Sequence, residues 1–115
     1  MTRRPPASDT ARLALLHRLA ALRADRSAAR LARAQAAIDT LEVRAASLRE
    51  PLAPEADPRL AAIGDVHERW RRGQLVALNR EIAGRRAHAE PLRETQARDR
   101  AREMVLARLS GKDTR

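Results

Sequence analysis

The run Glu50-Pro51-Leu52-Ala53-Pro54-Glu55-Ala56-Asp57-Pro58 separates two long stretches of strong helix formers. Each proline removes an amide donor and pushes the residue before it toward extended backbone, so no helix propagates through this run. Asp57 followed by Pro58 suits an N-cap and a first helical position, because the carboxylate accepts from first-turn amides and proline has no amide to orphan. A connection this short folds two long helices back on one another rather than letting them continue end to end. The predicted fold is all-α, a long antiparallel two-helix coiled-coil hairpin. Its expected parts are a disordered leader at 1–8, a first helix at 9–50, a Pro-rich turn at 51–57, a second helix at 58–109 and a tail at 110–115.

Upstream of the turn, residues 11–49 contain neither Pro nor Gly. That absence is a helix signal, and at ~1.5 Å per residue such a helix would be roughly 60 Å long. In its second half Leu31, Ala34, Ile38, Leu41, Ala45 and Leu48 alternate steps of three and four, the seam of a coiled coil. The first half keeps another phase: Leu15, Leu19 and Leu22 form a stripe that Leu13 and Leu16 widen. Residues 24–29 offer only small or polar seam candidates, which predicts a stutter or local loosening there. Ser8, Asp9 or Thr10 is the expected N-cap, after a leader whose Arg3, Arg4, Pro5 and Pro6 favour solvent over helix.

Downstream, the expected seam is Leu60, Ile63, Val66 or His67, Trp70, Leu75, Leu78, Ile82, Ala89, Leu92, Val105 and Leu109. The charged face between these residues has three acid-first pairs at i,i+4: Asp65 to Arg69, Glu68 to Arg72 and Glu81 to Arg85. Each contributes about 0.3–0.5 kcal/mol. Pro91 deprives the Ala87 carbonyl of its helical donor and predicts a kink near 87–90. Gly64, Gly73 and Gly84 cost about 1 kcal/mol each relative to Ala, which reads first as close helix packing or plain tolerance and second as a means to let the shaft flex or admit a partner. Ser110 and Gly111 end the helix, with Gly111 in the left-handed capping position.

Composition narrows the function classes. The 115 residues hold one aromatic side chain and an apolar fraction made mostly of Ala and Leu, enough for a thin helical structure and too little for a wide core. The net charge of +9 suits an acidic partner, yet 15 acids are interspersed among 24 bases and no block of five like charges occurs. A solvated basic face accounts for this balance more simply than nucleic-acid binding does. Without cysteine there is no disulfide and no cysteine-ligated zinc. The N-terminus has no signal-peptide core, and no apolar run reaches the ~18 residues of a membrane span, so the expectation is a cytoplasmic protein.

His17, His67 and His88 are too widely spaced for a local metal site, and His67 reads as a seam or flank residue. Neither a nucleophile elbow nor a phosphate loop occurs, so no catalytic residue, cofactor or small-molecule substrate is expected. Trp70, beside Arg69, Arg71 and Arg72, reads first as a packing anchor near the turn and second as an interaction residue, since Trp and Arg dominate interface energetics.

The run Leu13 to Ile38 and the segment Arg69-Trp70-Arg71-Arg72 through Leu75, Leu78-Asn79-Arg80-Glu81, Ala83, Arg86-Ala87 and Ala89-Glu90-Pro91-Leu92-Arg93 resemble the FliJ-type general chaperones of the flagellar export apparatus, related to the YscO-type stalk proteins of injectisomes. The resemblance covers most of the chain. It implies a non-enzymatic coiled-coil stalk that inserts into the hexameric export ATPase, couples hydrolysis to export, and also contacts the export gate and export chaperones. It places the protein in the cytoplasm, peripheral to the inner membrane at that apparatus. This chain is shorter than better-known members and lacks the aromatic residues several of them use on a gate-binding face. By position and charge, Arg12, Arg18, Arg23, Arg102 and Arg108 are the candidate ATPase contacts, with Trp70, Arg71 and Arg72 as a further partner-binding group. The competing readings are a basic coiled coil that binds nucleic acid and a structural homodimer that pairs two hairpins into a four-helix bundle.

Overall fold

The computed structural model describes residues 7–51 and 54–113. It is an all-α helical hairpin of α1, Ala7–Arg49, and α2, Pro58–Asp113, with no strand among the described residues. The turn forms as its residues dictate. Asp57 Oδ1 accepts from the Arg59 amide at 2.9 Å and the Asp57 carbonyl accepts from the Ala61 amide at 2.8 Å, so Asp57 caps α2 with Pro58 as its first residue. Glu55 Oε1 in turn accepts from the Asp57 amide at 3.3 Å.

Both helices run further at their outer ends than expected. α1 already includes Ser8, Asp9 and Thr10, so none of these is the N-cap, and Asp9 instead places negative charge in the first turn. α2 continues through Ser110 and Gly111 to Asp113, and no glycine takes a positive φ. A Schellman-type stop at Gly111 is therefore absent. Pro91 lies inside α2, and the helix continues across it. Most of the expected leader, residues 1–6, lies outside the described residues, as do Leu52 and Ala53 of the turn and the tail residues Thr114 and Arg115.

The chain forms two compact units. The turn unit, Ala34–His88, packs the end of α1 against the start of α2. Its core is aliphatic: Ile38 is 1% exposed, and Leu41, Ala45, Leu78 and Ile82 are buried. The terminal unit, Met1–Arg33 with Ala89–Arg115, buries a different set, Ala24, Ser27, Ala89 and Asp99. Leu13, Leu31, Leu92 and Leu106 are half-buried beside them.

The expected stutter in α1 does not occur. Inward positions alternate steps of four and three from Leu13 through His17, Ala20, Ala24, Ser27, Leu31, Ala34, Ile38, Leu41 and Ala45 to Leu48. Leu15, Leu16, Leu19 and Leu22 fall outside that phase and are exposed. The same correction applies to α2. Leu75, Leu78, Ile82, Ala89 and Leu92 face inward as expected, but Leu60, Ile63, Val66, Trp70, Val105 and Leu109 are exposed. Their places are taken by Ala61, Gly64, Glu68 and Arg71 in the turn unit and by Asp99, Glu103, Leu106 and Ser110 in the terminal unit. The physical reason is rigidity: once aliphatic residues fix the inward phase of a helix, its 3.5-residue repeat carries that phase onward whatever residue falls there.

A Cβ built on Gly64, Gly73 or Gly84 meets nothing within 4 Å. The glycines are thus tolerated rather than required by close packing.

Candidate partner-binding surfaces

In the turn unit, the arginines flanking Trp70 part company. Arg71 points inward, its side chain only 13% exposed, and its guanidinium donates to Glu68 Oε2 at 2.6 Å and to the main-chain carbonyl of Leu48. Leu48 lies in the last turn of α1, where carbonyls have no intrahelical donor, so a cation from α2 caps α1 both by hydrogen bonding and by charge. Arg71 therefore serves the hairpin rather than standing free for a partner. Arg86 reaches across to Glu42, and Arg49 Nη2 lies 3.5 Å from Asn79 Oδ1, which fixes the same pairing of helices.

Trp70, one residue away, is 53% exposed and lies against His67 with ring centroids 5.5 Å apart. The packing-anchor role expected for it is not what the structure contains. Trp70 is a surface residue on a stripe with Leu60, Ile63 and Val66, and Arg72 is exposed beside it. Of the expected i,i+4 pairs, Glu81 to Arg85 closes at 3.7 Å. Glu68 turns to Arg71 at i,i+3, and no ion pair joins Asp65 to Arg69 among the described residues.

In the terminal unit, Arg12, Arg18, Arg102 and Arg108 are exposed. Arg23 is exposed as well, and its Nε lies 3.5 Å from Oδ1 of Asp99, a carboxylate that is itself only 4% exposed. Arg23 and Arg102 border an open groove of about 560 Å³ walled by Leu16 and Leu19 from α1 and by Val105 and Leu106 from α2. A second depression next to it runs past Leu22, Arg26 and Arg30. Four of the five candidate contacts at this end thus remain unengaged by any ion pair among the described residues, and two of the five border a common apolar floor.

Charge is divided as unevenly as packing. The two segments of the terminal unit hold 15 of the 24 basic residues and 7 of the 15 acids, a net +8, whereas the turn unit holds 9 bases and 8 acids, a net +1. A single count over the whole chain conceals this.

The groove was not legible as a site in the sequence, because its leucines were assigned to the seam. The signal that finds it is strict continuation of the alternation Leu31, Ala34, Ile38 toward the N-terminus, which lands on Ser27, Ala24 and Ala20 and leaves Leu19 and Leu22 outside.

Among the described residues no cluster of His, Asp or Glu has the makings of a metal site, and no helix is long and apolar enough to cross a membrane. His17 is half-buried on the inward face of α1, and His88 is exposed. Comparison with protein-family models, with curated proteins and with solved structures finds no match for this chain.

Proposed function

We propose that this chain is a non-enzymatic coiled-coil stalk and general chaperone of the FliJ/YscO type, which binds a hexameric export ATPase and couples it to flagellar protein export at the cytoplasmic side of the inner membrane. The observation that carries this reading is the concentration of a net +8 in the terminal unit, where Arg12, Arg18, Arg102 and Arg108 are exposed and, among the described residues, Arg23 alone of the five is tied to an acid. A helical hairpin with its cations gathered at one end is suited to entering an acidic ring end-first, since charge complementarity orients an encounter more than it fixes affinity. The near-neutral turn unit, with Trp70 and Arg72 exposed, is the remaining surface for export gate or export chaperones.

The test is a pull-down against the export ATPase from the same organism, followed by its hydrolysis rate with and without this chain. Stimulation that is lost when Arg12, Arg18, Arg23, Arg102 and Arg108 are replaced by Ser supports the stalk role. Absence of binding refutes it.

The same +8 favours one second reading, a phosphate-rich nucleic acid as the anionic partner. That reading requires binding to duplex or single strands whose affinity falls steeply with salt, as release of counterions dictates.

A further inference from the structure

The terminal unit displays more apolar surface than its packing uses. Leu15, Leu16, Leu19 and Leu22 on α1 and Met104, Val105 and Leu109 on α2 are all exposed. Leu16 and Leu19 face Val105 and Leu106 across a groove that both helices wall. The exposed leucines Leu15, Leu19 and Leu22 fall at i, i+4 and i+7 with Leu16 beside them, the spacing by which a third helix seats its own apolar stripe against a helical face.

Charge selects the occupant. The groove is bordered by Arg23 and Arg102, Arg26 and Arg30 extend the basic edge, and Asp99, its one acid, is engaged by Arg23. A second copy of this chain docking through the same face would set one net +8 unit against another. The chain's own first six residues carry Arg3 and Arg4 and no acid, so they add to the field rather than offset it. Nucleic acid would use the arginines but would leave the leucines uncovered, and no Phe, Tyr or Trp stands in this unit to stack a base.

We infer that the groove between Leu16, Leu19, Val105 and Leu106 is a docking site for an acidic amphipathic helix of a partner protein. Its apolar stripe covers the leucines, and its flanking carboxylates meet Arg23, Arg26 and Arg102. The inference goes beyond the stalk reading because it names the chemistry of the docking segment whatever protein carries it.

The experiment uses the full chain and a fluorescein-labelled synthetic helical peptide with Leu at two heptad positions and Glu at most of the others. Anisotropy is read at several salt concentrations. Three comparisons accompany it: the same peptide with Lys for Glu, a scrambled Leu/Glu peptide, and vesicles of anionic lipid.

Binding of the Leu/Glu helix, with affinity reduced roughly tenfold or more by Leu19→Gln with Val105→Gln and left unchanged by Leu60→Gln with Ile63→Gln, supports the inference. All four positions are exposed, and circular dichroism of each variant verifies that its helices are retained. The inference is overturned by equal binding of the Lys or scrambled peptide, by no binding at all, or by indifference to the groove variants. It is likewise overturned if sedimentation finds a dimer that those variants dissociate, or if the vesicles bind through Leu19 and Val105 and displace the peptide. The assay contains no ATPase, so its failure and that of the stalk reading are separate results.

Discussion

The turn unit closes Ile38, Leu41, Leu78 and Ile82 over one another, while the terminal unit closes Ala24, Ser27, Ala89 and Asp99. A buried large aliphatic side chain contributes about 1.5–3 kcal/mol and a single methyl group about 0.8 kcal/mol, so the inward face of the turn unit supplies most of the available stabilisation. The distribution of charge is the reverse. The terminal unit carries a net +8, against +1 for the turn unit, and it exposes Leu15, Leu16, Leu19 and Leu22 beside that charge. Aliphatic packing and positive charge thus concentrate in different units of the same two helices, while both units leave apolar side chains exposed, Leu60, Ile63, Val66 and Trp70 in one and Leu15, Leu16, Leu19 and Leu22 in the other.

This contrast can be broken most directly in the core. Ile38→Ala is expected to lower unfolding free energy by about 2–5 kcal/mol, as for other fully buried aliphatic truncations. Leu19→Ala, the corresponding loss of an exposed residue, is expected to stay within about 0.5 kcal/mol. Urea titration followed by far-ultraviolet dichroism measures both, and similar values for the two would abolish the distinction.

A gain should follow from replacing the buried carboxylate of the terminal unit. Asp99 is 4% exposed and its partner Arg23 is largely in solvent, so the charge is desolvated for a thin return. Asp99→Leu is expected to stabilise by about 1 kcal/mol or more. Slower amide hydrogen exchange around residues 20–31 and 92–106 would be the readout, with the turn unit unchanged. A loss of protection there would mean that Asp99 contributes net stability.

Arg71→Gln removes the guanidinium that caps Leu48, and about 1 kcal/mol of stability should go with it, because an orphaned carbonyl half-covered by protein recovers little from water. Exchange at the amides near residue 48 should rise before that at residue 38.

The smallest effect is expected at Trp70. Trp70→Ala should change stability by no more than about 0.5 kcal/mol, and the wild-type ring should emit at a wavelength near that of solvated tryptophan, since it is half exposed and touches only His67 among aromatic groups. A blue-shifted emission in the isolated chain would contradict the surface placement.

The helical class, the turn and the central seam were all legible in the sequence, each from a strong local signal. Proline spacing with the Asp57 cap marked the turn, and Ile38, Leu41, Leu78 and Ile82 left one choice of inward face. What misled were the outer segments. Leu15, Leu19 and Leu22, like Trp70 and Val105, make attractive stripes taken locally, and the true inward residues there are small or charged. A periodicity search rewards hydrophobicity, whereas a rigid helix obeys phase. Arg71 and Glu68 escape a sequence reading for the same reason: inward positions occupied by ions have the composition of a surface. Among the candidate contacts, exposure and charge were readable at Arg12, Arg18, Arg102 and Arg108. The groove beside them depends on which faces the two helices turn to each other, and no single stretch of sequence contains that.

The prolines of the turn also bear on how copies of this chain treat one another. Two-helix hairpins are candidates for exchange, in which the hinge straightens into continuous helix and each arm docks on a neighbour's partner helix with every side-chain contact regained. Pro51, Pro54 and Pro58 stand within the segment that would have to become that helix, and an interior proline costs a helix about 3 kcal/mol or more. The penalty falls on the exchanged form alone, because in the closed hairpin Pro51 and Pro54 lie outside both helices and Pro58 occupies the first position of α2. The turn therefore does more than reverse the chain: it biases each molecule toward closing on itself, even when neighbours are concentrated.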